Sequence, residues 1–130
     1  MFKPHHVNDM RDALPGVRII VHPECMPEVV QACDGAGSTT FLIKYCAEAP
    51  TGAHVAVGTE LNLVKRLAAR HPDKSILPLR ELVCTNMAKI SEQALLARLE
   101  TLESAAPVTL PTDIIEHSRV ALERMLRTCA

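Results

Sequence analysis

Three short apolar runs, separated by helical segments and each closing on polar residues, constrain this chain more than any other feature. They are Val17-Arg18-Ile19-Ile20-Val21, ending in His22-Pro23-Glu24-Cys25; His54-Val55-Ala56-Val57, ending in Gly58-Thr59-Glu60; and Ser75-Ile76-Leu77-Pro78-Leu79, leading toward Cys84-Thr85-Asn86-Met87. Runs this short and this continuously apolar read as strands covered on both faces. Strands that alternate with helices run parallel and are joined by crossovers. The expected fold class is therefore α/β, a three-layer α/β/α sandwich around a short parallel sheet of three strands. Ligands of such sheets bind beyond the carboxyl ends of the strands. A histidine, a carboxylate and a thiol are costly to bury, so the three polar tips point to one shared site.

The segments between the runs have helical spacing. Val7 to Leu14 reads as a short helix closed by Pro15-Gly16, and Pro27 to about Ala36 as a second, with Pro27 suited to its first turn. Gly35-Ala36-Gly37 breaks that helix, and Ser38 or Thr39 caps the next, Thr40 to about Ala47. Leu61–Arg70 places Leu63, Val64 and Leu67 at helical spacing and ends at His71-Pro72-Asp73. Two further helices, Ser91–Glu103 and Pro111–Arg127, form a tail. The chain divides into a truncated lead-in (1–16), an α/β/α domain (17–84) and a helical tail (85–130), together one partial domain.

Composition excludes several classes. Two Phe, one Tyr and no Trp leave an aliphatic interior, and a net charge of −1 without a basic stripe or stacking platform argues against nucleic acid. No apolar run approaches the roughly 20 residues that span a bilayer. The segment Met1-Phe2-Lys3-Pro4-His5-His6 lacks the apolar region of a signal peptide. Five cysteines (Cys25, Cys33, Cys46, Cys84, Cys129) without an export signal fit a reducing cytoplasm, and an odd number fits poorly with a disulfide framework.

The candidate residues each admit two readings. Glu24 is an acid–base group or a carboxylate favoured by the dipole of the helix opening at Pro27. His22 donates to a ligand or bonds to backbone. Ser38 and Thr39 build an anion seat at a helix start, or simply cap it. Cys84 holds metal or is buried and inert. His5, His6, His22 and Cys25 match no ordinary zinc spacing. His54, His71 and His117 read as surface residues.

Taken together, V-H-P-E-C (21–25), G-S-T (37–39), V-G-T-E (57–60) and C-T-N-M (84–87) resemble the C-terminal third of quinolinate synthase, in order and in interval. The two-helix tail matches as well, so the resemblance covers about residues 2–127. It implies condensation of iminoaspartate with dihydroxyacetone phosphate to quinolinate, a precursor of NAD. It also implies three pseudo-equivalent α/β/α domains around a [4Fe–4S] cluster, held by one cysteine from each, with one iron open to substrate.

Residue by residue, the resemblance makes Cys84 the third cluster ligand and His22 the contact to a substrate carboxylate. Glu24 becomes the proton-shuttling carboxylate near the open iron, Ser38 and Thr39 the pair binding carboxylate or phosphate, and Thr59 a further pocket residue. Cys25 has no ligand role in the family. The family chain is more than twice as long, so the resemblance implies missing N-terminal domains as partners and only one of three cysteine ligands here. A truncated or split gene product, inactive alone, is the leading expectation. The alternative is a non-catalytic α/β module that binds a small anion or a protein partner.

Overall fold

A computed structural model describes residues 1–129, and Ala130 lies outside the described residues. The expected α/β class is present, with a parallel sheet of four strands in the order β2-β1-β3-β4. These are β1 (Arg18–Val21), β2 (Gly35–Ala36), β3 (His54–Gly58) and β4 (Ser75–Pro78). Helices α1 (Pro4–Ala13), α2 (Pro27–Ala32), α3 (Thr39–Glu48) and α4 (Leu61–Arg70) connect and flank them.

Successive strand residues face opposite layers, and both layers are apolar. Ile19, Val21 and Ala56 pack with Phe2, Val7 of α1, Val29 of α2 and Leu79. Ile20, Val55, Val57 and Ile76 pack with Leu42 and Cys46 of α3 and with Val64 and Leu67 of α4. Burial on both faces is why β1 and β3 read as unbroken apolar runs rather than as alternation. Each fully buried Val, Leu or Ile contributes roughly 1.5–3 kcal/mol relative to exposure, so these two clusters hold the sheet and its helices together.

Polar side chains finish the element ends. Ser38 Oγ accepts from the Phe41 N–H at 3.3 Å and caps α3. At the other end of α3, Lys74 Nζ donates to the Cys46 and Ala47 carbonyls at 3.1 and 2.6 Å, a cation where the helix dipole favours one.

One expectation is corrected. The helix beginning at Pro27 stops at Ala32, and Gly35–Ala36 forms a fourth, edge strand paired with Ile20 and Val21. Asp34 directs this change: its backbone N–H donates to the Ile19 carbonyl at 2.8 Å, and its Oδ2 accepts from the Ile19 N–H at 2.7 Å. The chain is thus pinned beside β1 two residues after the helix ends. Gly37 follows, where a Cβ would lie 2.4 Å from the Phe41 ring.

The described residues divide into a first compact unit ending at Ile90 and a second beginning at Ser91. The second contains α5 (Glu92–Glu100), a 3₁₀ turn (Leu102–Ser104) and α6 (Thr112–Cys129). Ser91 Oγ caps α5, accepting from the Ala94 N–H at 3.1 Å. No described residue of this unit is buried. Its charged face carries one spaced ion pair, Arg127 with Glu123 at 3.6 Å. No helix among the described residues is long and apolar enough to cross a membrane.

Candidate functional site

The strand order places a crevice where a ligand is expected. From β1 the chain moves outward to β2 on one side and then returns to β3 on the other. Such a reversal leaves a gap beyond the carboxyl ends of the two central strands. The backbone N–H of His22, just past β1, donates to the carbonyl of Gly58 at the end of β3, at 3.2 Å. Gly58 is required there, because a Cβ would meet Val21 Cγ1 at 2.6 Å.

A hollow of about 760 Å³ opens over this gap. His22, Glu24, Cys25, Thr39, Thr59, Glu60 and Cys84 line it, so side chains from all three expected tips converge. Ser38 does not; its hydroxyl is turned to the α3 cap, and Thr39 is the member of that pair that reaches the hollow. The N–H groups of Thr39 and Thr40 open α3 and have no helical acceptor, which leaves them available to an anion.

His22 and Glu24 interact through a two-residue turn. The Glu24 N–H lies 3.4 Å from His22 Nδ1, and Glu24 Oε2 lies 3.7 Å from the same nitrogen. A neutral imidazole protonated at Nε2 satisfies the first contact, and an imidazolium satisfies the second. The Glu24 side chain is 89% exposed. It makes no cap for α2, whose N-cap is Met26.

Glu60 is different. Its Oε2 accepts from the Asn62 and Leu63 N–H groups at 2.8 and 3.2 Å, and its Oε1 from Asn62 Nδ2 at 3.0 Å. This carboxylate is committed to the start of α4.

The five cysteines separate into two kinds, three packed and two exposed, the exposed ones being Cys84 and, at the end of α6, Cys129. Cys25, Cys33 and Cys46 lie against the apolar clusters, and burial pushes all three thiols up. Cys33 is pushed to about 11, by burial first and by neighbouring Cys25 second. They are packing groups held in the protonated form. Cys84 is exposed on the wall of the hollow, so the reading of it as buried and inert does not hold. Its segment is anchored by the Leu61 N–H donating to the Leu82 carbonyl at 3.0 Å, and by a turn in which the Ala88 N–H donates to the Cys84 carbonyl at 2.9 Å.

Among the described residues no three His, Cys, Asp or Glu side chains gather as a metal-holding group. One exposed thiol, Cys84, shares the lining of the hollow with His22 and Glu24. It can supply one corner of a larger metal site. Sequence reasoning missed the apolar wall, formed by Met1, Phe2, Leu82, Val83 and Met87. These residues carry no chemical signature, and only the fold shows that they meet. His71, expected at the surface, is half-buried at the end of α4, where its carbonyl accepts from the Lys74 N–H at 3.2 Å.

Comparison with known proteins covers nearly the whole chain. The family model described as quinolinate synthetase A protein matches residues 1–127. The quinolinate synthase of Anoxybacillus flavithermus is 45% identical over 130 residues, covering 96% of this chain and 35% of that protein. Those of Geobacillus kaustophilus and Bacillus subtilis are 43% and 42% identical, with the same coverage. The chain spans about a third of the length of the curated relatives it matches.

Proposed function

The chain belongs to the quinolinate synthase family, and from that premise we propose that it supplies one wall of a quinolinate-forming site in NAD biosynthesis, condensing iminoaspartate with dihydroxyacetone phosphate. The observation that carries this reading is the convergence of His22, Glu24, Thr39, Thr59 and Cys84 on one hollow at the reversal of strand order. The rest of the site, including the other cluster ligands, belongs to parts of the enzyme outside this sequence, which are its partners.

Cys84 is the residue that would hold a [4Fe–4S] cluster, as one of three thiolate ligands. Its exposure on the hollow wall fits that role. When bound, such a cluster supplies a Lewis-acidic iron that draws electron density from a substrate oxygen.

The chain's own groups do the rest. His22, with Nδ1 turned toward Glu24, leaves Nε2–H to donate to a substrate carboxylate. Glu24 is free of capping and within 3.7 Å of the imidazole. It accepts a proton from carbon or a hydroxyl and returns it in the dehydration steps. The Thr39 hydroxyl and the first N–H groups of α3 receive a carboxylate or phosphate, and Thr59 closes the same side. Ser38 acts through its cap, which fixes the direction of those N–H groups. The apolar wall limits water around the reacting atoms.

The test is anaerobic reconstitution with iron and sulfide of this chain mixed with the remaining two-thirds of the Anoxybacillus flavithermus protein, followed by a quinolinate assay. Turnover is expected from the mixture and none from the chain alone. Glu24→Gln is expected to reduce the rate by about 10²-fold or more. Turnover from the chain alone, or an unaffected Glu24→Gln variant, overturns the proposal.

A further inference from the structure

At the opposite end of the sheet, a second hollow of about 470 Å³ is lined by Arg18, Tyr45, Glu48, Ala49, Pro50, Ala53 and Val55. Arg18 opens β1, and Pro50, Ala53 and Val55 lie at the entrance to β3. The hollow therefore sits roughly one strand length, about 13–16 Å, from the site described above. Nothing in the proposed reaction uses it.

Its size falls among small-molecule sites, which are concave, mostly apolar and provided with a few placed polar groups. The floor is aliphatic, from Ala49, Pro50, Ala53 and Val55. The polar group is Arg18, and its guanidinium is held in place. Nε donates to Tyr45 Oη at 3.2 Å, and Nη1 lies 3.9 Å from Asp34 Oδ1. Asp34 is shared with Arg11, whose Nη2 lies 3.5 Å from Oδ2. Two cations thus face one carboxylate, and a positive charge is left over beside the hollow. The remaining acid, Glu48, lies 3.8 Å from Lys44 Nζ, which answers its charge.

We infer that this hollow binds a small monocarboxylate with a short aliphatic body, its carboxylate on Arg18 and its chain over Pro50, Ala53 and Val55. Arginine offers a planar fork that matches a carboxylate. The Tyr45 contact orients that fork before any ligand arrives, and so reduces the ordering that binding requires. The inference is independent of the reaction proposed above, because it uses different residues at the other end of the strands.

Tyr45 is the single tyrosine of the chain, which has no tryptophan, so its ring signals report on this hollow alone. The experiment is an NMR titration of the full 130-residue chain with acetate, butanoate, hexanoate and neutral hexanol, following the Tyr45 ring and the Ala53 and Val55 amides. Affinity is expected to rise by about fourfold per added methylene until the floor is covered. Hexanoate is expected to bind about tenfold more tightly than hexanol.

Arg18→Gln is expected to bring hexanoate down to the hexanol level without changing hexanol. Glu48→Gln, which removes a like charge at the rim, is expected to strengthen hexanoate about twofold. A dispersed amide spectrum in each variant separates lost binding from lost folding. Equal affinity for hexanoate and hexanol, shifts that do not saturate, or an Arg18→Gln variant that binds hexanoate unchanged would each overturn the inference.

Discussion

The two units of this chain use similar apolar side chains to opposite effect. In the first, Ile19, Ile20, Val21, Leu42, Val57 and Leu67 are all within about one percent of full burial. In the second, Leu95, Leu96, Leu99, Ile114, Ile115, Val120, Leu122, Met125 and Leu126 remain 42–58% exposed. The difference is geometric. Strand residues alternate between two helix-covered layers, so consecutive apolar residues all find partners. Helix residues fall on one stripe, and a stripe needs a facing surface. Apolar content alone therefore does not make a core.

The sharpest way to break this comparison is to remove one buried and one exposed leucine. Leu67→Ala is expected to cost about 2–5 kcal/mol, while Leu126→Ala stays within about 0.5 kcal/mol, both read from denaturant midpoints of the full chain. A large effect at Leu126 would mean that the second unit closes a core of its own. The next effect concerns the tight crossing at the site itself. Gly58→Ala is expected to cost about 1–3 kcal/mol by overpacking against Val21, and the same measurement checks it.

A pH series sharpens the contrast between packed and exposed thiols. Cys33 titrates near 11 in the folded chain and near 9.0 without burial. Its folded value is raised, so its contribution is complete below pH 9 and is lost as pH rises through 11. The expected loss is about 1–2 kcal/mol, discounted because the group is only half-buried, and Cys33→Ala should flatten that part of the curve. Glu60→Ala is expected to have the smallest effect, about 1 kcal/mol, from the lost cap of α4. Glu60→Gln keeps an acceptor oxygen and should lose less.

Much of the first unit was legible in the sequence, for reasons that can be named. Leu61–Arg70 was read to its true bounds because Leu63, Val64 and Leu67 fall at helical spacing and His71-Pro72 ends the pattern, though the buried face is formed by Leu61, Val64 and Leu67. The three long strands were legible as apolar runs between turn residues. Strand β2 was not, because Gly35 and Ala36 carry no pattern; the hydrogen bonds of Asp34 to Ile19 create it.

At the site, the strand tips named His22, Glu24, Thr59 and Cys84, since polar groups after apolar runs stand out. The division of labour between Ser38 and Thr39 was not legible, because either hydroxyl suits a helix start and only the backbone decides which one caps. Glu60 was hidden similarly: a carboxylate at a strand tip and one capping the next helix look alike until the chain is folded.

The central claim is that the exposed thiol of Cys84, alone among the chain's cysteines, completes a cluster beside His22 and Glu24. The direct measurement is the visible absorption and low-temperature magnetic spectrum of the anaerobically reconstituted mixture with the complementary two-thirds of a relative, comparing Cys84→Ala with Cys25→Ala. The account predicts that the cluster signal is lost or strongly diminished with Cys84→Ala and retained with Cys25→Ala. A full signal in the Cys84→Ala mixture, or its disappearance with Cys25→Ala instead, would contradict it.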